Sequence, residues 1–134
     1  MKGFEPVTLS WQGESYTVPA EGQLMLIASI EDALCGGDGS SATIALLRNG
    51  GPTHVQLARA YGAALRHAGS TVTDEEIYLS IQADFAEHSA EASIKINQAI
   101  LGLLAIVSPP VALSILQPKG KAADVKKKNT RTVS

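Results

Sequence analysis

An uncharged run at residues 99–116 constrains the fold of this chain more than any other feature. It holds eighteen residues without a single Asp, Glu, Lys or Arg, and Pro109 and Pro110 interrupt it past its middle. The run just reaches the length of a membrane span, but a proline within a helix removes a backbone donor and disfavours helical geometry in the residue before it. We therefore predict that the last helix ends near Val107 and that residues 111–116 form a short apolar segment.

The composition predicts one helical domain followed by a basic tail. The chain has 134 residues, of which 45% are hydrophobic, 18% charged and only 4% aromatic. This length suits a single domain, and a core poor in aromatic residues has to be built from aliphatic residues and alanine, which favours closely packed helices. We assign residues 1–116 to the domain and residues 117–134, which hold most of the lysines, to a flexible tail.

Charge and cysteine content narrow the class of protein further. The net charge of −2 gives no general attraction to nucleic acid, and the tail lysines lack the interleaved aromatic residues that stack on bases. The single cysteine, Cys35, excludes an intrachain disulfide and fits a reducing cytoplasm. The N-terminus lacks the apolar segment of a signal peptide, so we expect a protein that is not exported and does not bind nucleic acid.

The alternation of apolar and polar residues predicts a β-hairpin over residues 5–18. The segments VTLSW and ESYTV alternate with the period of half-buried strands, and Gln12-Gly13 supplies a tight turn. The rest shows helical spacing over about four to five helices, one of them opened by a Thr73–Glu76 capping box. In the first helix, the repeat that we expect to face the core is Leu24, Ile27, Ile30 and Leu34. The predicted fold class is mainly α with a short N-terminal β-hairpin.

Residues 89–107 carry apolar side chains on two sides of the predicted helix. One stripe consists of Ile94, Leu101 and Ala105, and a second stripe begins at Ile96. Such a helix is either buried on both sides or presents one side to a partner, and the sequence leaves both interpretations open. The candidate partner-binding residues are the second stripe and two leucines beyond the prolines: Ile96, Ile100, Leu103, Val107, Leu113 and Leu116.

The sequence contains no recognisable catalytic, metal or cofactor motif. The GGDGSS segment at 36–41 lacks the lysine of a phosphate-binding loop. Cys35 lies at a predicted helix C-terminus, where the helix dipole disfavours a thiolate. Asp84 and His88 have helical spacing but supply at most half of a metal site. We therefore predict that the protein is not an enzyme and uses neither a metal nor a cofactor.

The order of these segments resembles one family. A VTLSWQGESYTV hairpin, a helix containing IASIEDAL, a Gly-rich break and a helix ending AALRHAGSTVTDEEI are similar to the tail assembly chaperones of long-tailed phages, in the branch found in gene transfer agents and siphophages. The resemblance covers residues 7–85 and says little about the segment after Ser89. The residues that carry it best are Leu9, Tyr16, Ile30, Glu31, Leu34, Leu65, Gly69, Thr73 and Glu76.

The resemblance implies a small, mostly helical and non-catalytic protein of the host cytoplasm that is absent from the mature virion. Its expected partners are the tape measure protein, which it keeps soluble, and the tail tube protein, which such families contact through a longer frameshifted form. A homo-oligomer is expected, without a membrane partner. Such a chaperone uses exposed apolar surface for many weak contacts.

Two other interpretations stay open. A structural tail component, such as a tube or terminator subunit, is one, although tube proteins are rich in β-strands and this chain shows a single hairpin. A small membrane-associated phage protein is the other, because Lys95 and Lys119 flank the apolar run. The double proline argues against it, since each backbone group left without a partner in lipid costs several kcal/mol.

Overall fold

The computed structural model describes residues 4–35 and 41–116. The chain order is β1 (Val7–Trp11), β2 (Glu14–Val18), α1 (Gln23–Cys35), α2 (Ala42–Leu47), α3 (His54–His67), α4 (Asp74–Glu87), α5 (Ser89–Val107) and α6 (Pro109–Leu116). The predicted fold class, mainly helical with an N-terminal hairpin, is confirmed. The described residues form six helices rather than four to five, and the predicted tail at 117–134 lies outside them.

The hairpin has the register that a two-residue turn requires. Trp11 pairs with Glu14 beside the turn, and the antiparallel pairing continues to Val7 and Val18. Gln12 and Gly13 have φ values of 51° and 82°, and two consecutive positive φ angles are typical of a type I′ turn, whose twist matches that of the strands. The predicted hairpin is therefore formed as its sequence indicates.

Side-chain caps fix the starts of three helices. Ser41 accepts a hydrogen bond from the Ile44 amide at 3.1 Å and opens α2. Thr73 and Glu76 form the predicted capping box of α4, and Thr53 forms an equivalent box that opens α3. Each cap satisfies amides that the first turn of a helix leaves without partners.

The double proline has a second role that the sequence analysis missed. It separates α5 from the residues that follow, as predicted, but those residues form the helix α6 rather than an irregular segment. The Ser108 carbonyl accepts from the amides of Val111 and Ala112 at 3.0 and 3.1 Å. Proline is well suited to the first turn of a helix, where its missing amide hydrogen has no intrahelical acceptor.

The core is centred on α3 and α5. α3 packs on α1, α4, α5 and β2, and α5 contacts β1 and every other helix. Small residues of α3 are fully buried and permit this close approach: Ala58, Ala60, Gly62 and Ala64. In α1 the inward face holds Gln23, Leu26, Ile30 and Leu34, whereas Leu24 is 69% exposed. The predicted inward position of Leu24 is therefore wrong.

Two contacts hold the hairpin on the helices. The buried Gln23 donates through Nε2 to the carbonyl oxygens of Glu5 and Pro19, at 2.9 and 3.0 Å, and so joins the two ends of the hairpin to α1. Leu9 is buried beside Gly102 of α5, so closely that a Cβ at position 102 would lie 2.7 Å from Leu9 Cδ2. Since that distance is shorter than a van der Waals contact, an alanine at position 102 would force the buried Leu9 side chain to shift.

We expect Gly102→Ala to lower the free energy of unfolding by up to about 2 kcal/mol. The overpacking against Leu9 should outweigh the gain of about 1 kcal/mol in helix propensity. In a Leu9→Ala background, which removes the opposing methyl groups, the same substitution should be neutral or stabilising. Urea unfolding of the four proteins in this double-mutant cycle measures the coupling. Equal effects of Gly102→Ala in both backgrounds would contradict the contact.

Candidate functional site: the hairpin groove

An open groove lies between the hairpin and α4. The hairpin packs on α3 and α5, and α4 packs on the same two helices, so the turn of the hairpin and α4 face each other across a gap. Two clefts occupy this gap, of about 640 Å³ and about 770 Å³, and both are lined by Trp11, Gln12 and Ser80. We call the two clefts together the hairpin groove.

The first cleft has an apolar floor and one charged pair. β1, α3, α4 and α5 all contribute to its lining, with Leu9, Leu57 and Ile77 buried at its base. Half-buried Ile81, Ile96 and Ala99 form its walls. Asp84 and Lys95 also line this cleft, and Asp84 Oδ2 lies 3.5 Å from Lys95 Nζ. Small-molecule and peptide sites commonly combine apolar walls with a few polar groups in this way.

The second cleft runs from the hairpin turn to the start of α4. Its lining includes Trp11 and Tyr16 of the hairpin and Leu79 of α4, whose side chain is 57% exposed. Glu14 and Glu76 supply its charges. Glu76 also serves the α4 capping box, in which Oε1 accepts from the Thr73 amide at 2.9 Å. The second cleft therefore mixes apolar side chains with polar ones, among them two acidic groups.

A buried tyrosine fixes β1 at the edge of the groove. In a two-residue hairpin the residues beside the turn form a hydrogen-bonded pair, so the register directs the backbone groups of Ser10 away from β2. The Tyr61 hydroxyl donates to the Ser10 carbonyl oxygen at 2.7 Å. Burial raises the pKa of the Tyr61 hydroxyl above its usual value of 10, although the hydrogen bond to Ser10 opposes this shift.

Other polar and titratable side chains of the domain have structural roles. Arg66 Nη1 donates to the Val72 carbonyl at 2.9 Å, and Nη2 lies 2.9 Å from Asp74 Oδ1 without the angle of a hydrogen bond. His54 stacks on Phe85 with ring centroids 5.2 Å apart. Cys35 is half-buried against the core, and within 4–35 and 41–116 no group of three His, Cys, Asp or Glu residues could hold a metal ion. Of the GGDGSS segment, residues 36–40 lie outside the described part of the chain.

The predicted partner-binding residues do not form one surface. Leu103 is 0% exposed within the core, so the prediction that it contacts a partner does not agree with its position. Ile96 lines the groove, and Ile100 and Val107 are half-buried against the core. Leu113 of α6 is 56% exposed, and the side chain of Leu116 lies outside the described part. The second apolar stripe is mostly core because β1 and five helices surround α5.

α5 has 19 residues and, by length and composition alone, is long and apolar enough to span a membrane. This is weak evidence, because core helices of water-soluble folds pass the same test. Here Leu103, Leu104 and Ile106 are buried among other elements of the domain, and α5 stops at Ser108.

Sequence reasoning missed most of the groove. Trp11, Leu79 and Ile81 belong to it, and only Ile96 among the predicted binding residues does so. The one available signal was the Trp11 indole, a large aromatic group in a chain with a single tryptophan, placed directly before a tight turn. Comparisons with known protein families, curated proteins and solved structures find no match to this chain.

We expect Tyr61→Phe to destabilise the protein by about 1 kcal/mol at neutral pH through loss of the bond to Ser10. The pKa of Tyr61 is raised in the folded state, so folding favours the neutral hydroxyl over the phenolate. The stability that Tyr61 contributes is therefore complete below pH 10 and is lost as the pH rises through the pKa of the folded state. Wild type should therefore lose stability more steeply than Tyr61→Phe above pH 10.

Denaturant unfolding at pH 8 and at several values above 10 measures both effects. Tyr78→Phe is the matched control, since no hydrogen bond of its hydroxyl is found in the described residues. A Tyr61→Phe variant with wild-type stability at pH 8 and a wild-type alkaline slope would show that the hydrogen bond contributes nothing.

Proposed function

We propose that this protein is a non-catalytic assembly chaperone that binds an apolar segment of a partner in the hairpin groove. The observation that carries the proposal is the open groove itself, which combines buried Leu9, Leu57 and Ile77 at its base with the exposed Leu79 at its edge. Accessible apolar surface of this kind is typical of interaction sites. An amphipathic helix is the suitable occupant, because its apolar stripe can enter the groove while its polar side stays in water.

The proposed partner is the tape measure protein of a long-tailed phage, with the tail tube protein as the second partner through a longer frameshifted form. The resemblance of residues 7–85 to tail assembly chaperones supports this choice, and so does the mainly helical fold. A tape measure protein is long and helical, so many copies of a small chaperone, as a homo-oligomer or as single units, can coat it through weak contacts whose avidity adds up. The proposal includes neither catalysis nor a cofactor.

The groove is tested by a pair of leucines of equal exposure. Leu79 in the groove is 57% exposed and Leu113 on α6 is 56% exposed, so an aspartate at either position should have little effect on the fold. We expect Leu79→Asp to weaken binding roughly tenfold, the loss of about 1–2 kcal/mol of apolar contact. Co-expression with the tape measure protein, followed by measurement of its soluble fraction, detects the change.

Leu113→Asp is the matched control, with circular dichroism as the check on folding of both variants. Full solubilisation by Leu79→Asp together with loss in Leu113→Asp would contradict the groove and favour the α6 surface. Full solubilisation by both variants would show that neither the hairpin groove nor the α6 surface is the binding site.

The proposal also assigns the protein to the host cytoplasm during assembly and not to the finished particle. Quantitative mass spectrometry of purified particles should therefore find it far below the copy number of the tail tube protein. Stoichiometric recovery from particles would contradict the chaperone assignment and favour a structural tail component.

A further inference from the structure

The charges of this chain are strongly divided between the domain and the segment that follows it. The described residues contain eleven acidic side chains against four basic ones, Arg48, Arg59, Arg66 and Lys95. Residues 117–134 have the opposite balance, with Asp124 as their one acidic residue. Their basic residues are Lys119, Lys121, Lys126, Lys127, Lys128 and Arg131. The near-neutral total of −2 therefore conceals two regions that attract each other.

The hairpin groove is a part of the domain where negative charge adjoins apolar surface. Its lining holds Glu14, Glu76 and Asp84 against a single cation, Lys95, and that lysine already lies 3.5 Å from Asp84. Glu14 is exposed and has no ion-pair partner within the described ranges. A ligand for the groove should therefore combine positive charge with a few small apolar side chains.

We infer that residues 117–134 of this chain bind in the hairpin groove when no other partner occupies it. The sequence AADVKKK at 122–128 contains the required combination, with Ala122, Ala123 and Val125 beside three consecutive lysines. The alanines and the valine suit the apolar walls at Ile81 and Ala99, and the lysines suit the acidic side chains of the lining. This charge complementarity selects the segment over a neutral apolar peptide.

The segment is long enough to reach the groove. It follows Leu116 at the end of α6, which packs on α5, and α5 with 19 residues is about 28 Å long at 1.5 Å per residue. Val125, the central residue of AADVKKK, lies nine residues after Leu116 and reaches up to about 30 Å from it when the chain is extended, which just covers that distance. Occupation within one chain and occupation by the segment of a second copy are both geometrically allowed.

Binding of the segment regulates access to the groove, and this consequence rests on the proposed function. A covalently attached segment acts at an effective concentration in the millimolar range. Even if the segment binds weakly, it therefore keeps out a partner that makes only one weak contact with the groove. A partner with many repeated contacts displaces it by avidity. The docking itself does not require that the proposed function is correct.

Site-specific photocrosslinking of the full-length protein tests the docking without any partner present. Benzoylphenylalanine is placed at Gln98, an exposed position on the lining of the first cleft, and separately at Ala83, which is exposed beside the second cleft. Ser29, exposed on α1 and outside both clefts, is the control position. We expect crosslinks from Gln98 and Ala83 to peptides of 117–134 and at least fivefold fewer from Ser29.

Charge variants separate specific docking from random contact. The triple substitution K126E/K127E/K128E should reduce the crosslink yield at least fivefold, whereas K126R/K127R/K128R should retain it, and raising the salt concentration from about 50 mM to about 500 mM should reduce the wild-type yield. Crosslinks confined to residues 4–116, or a yield that charge reversal leaves unchanged, would overturn the inference. Gel mobility then distinguishes crosslinks within one chain from crosslinks between two copies.

The outcome of this experiment is independent of the co-expression assay. Loss of crosslinks with intact solubilisation of the tape measure protein would reject the docked segment alone. Retained crosslinks with no effect of Leu79→Asp on solubilisation would leave the docking in place and reject the proposed use of the groove.

Discussion

The contact between Leu9 and α5 at Gly102 determines how the hairpin and the helices are arranged. A two-stranded hairpin is at best marginally stable alone, so its position depends on the helices beneath it. Leu9 provides the apolar contact, Gln23 joins both ends of the hairpin to α1, and Tyr61 holds the outer edge of β1. All three contacts anchor the hairpin on α1, α3 and α5, and none of them involves α4. The gap that remains opposite α4 is the hairpin groove.

The groove connects the fold to the proposed activity through two physical properties. Its buried base is continuous with the core, so it is held in shape by the same packing that stabilises the domain. Its lining carries Glu14, Glu76 and Asp84, so the proposed ligand is selected by charge as well as by shape. A chaperone needs this combination, because weak apolar contacts allow a long partner to be released and charge excludes unsuitable sequences.

Local patterns in the sequence predicted local structure well. The alternation in VTLSW and ESYTV gave the hairpin, and Thr73 with Glu76 gave the start of α4, because the interactions that form these features lie within a few residues. The start of α6 at Pro109 was missed because proline ends one helix and opens the next by the same chemistry. The binding residues were mostly missed for a different reason. Periodicity shows that α5 is apolar on two sides, but β1 and the other helices decide that Leu103 is buried.

Hydrogen–deuterium exchange of the protein, alone and co-expressed with the proposed tape measure partner, tests the hairpin groove as the binding site most directly. Binding in the hairpin groove should slow exchange in β1, in the middle of α4 around Leu79–Asp84 and in the first half of α5, with little change in α2 and α6. Protection confined to α2 and α6, where Ile44, Leu47 and Leu113 are exposed, would contradict the assignment of the hairpin groove as the binding site.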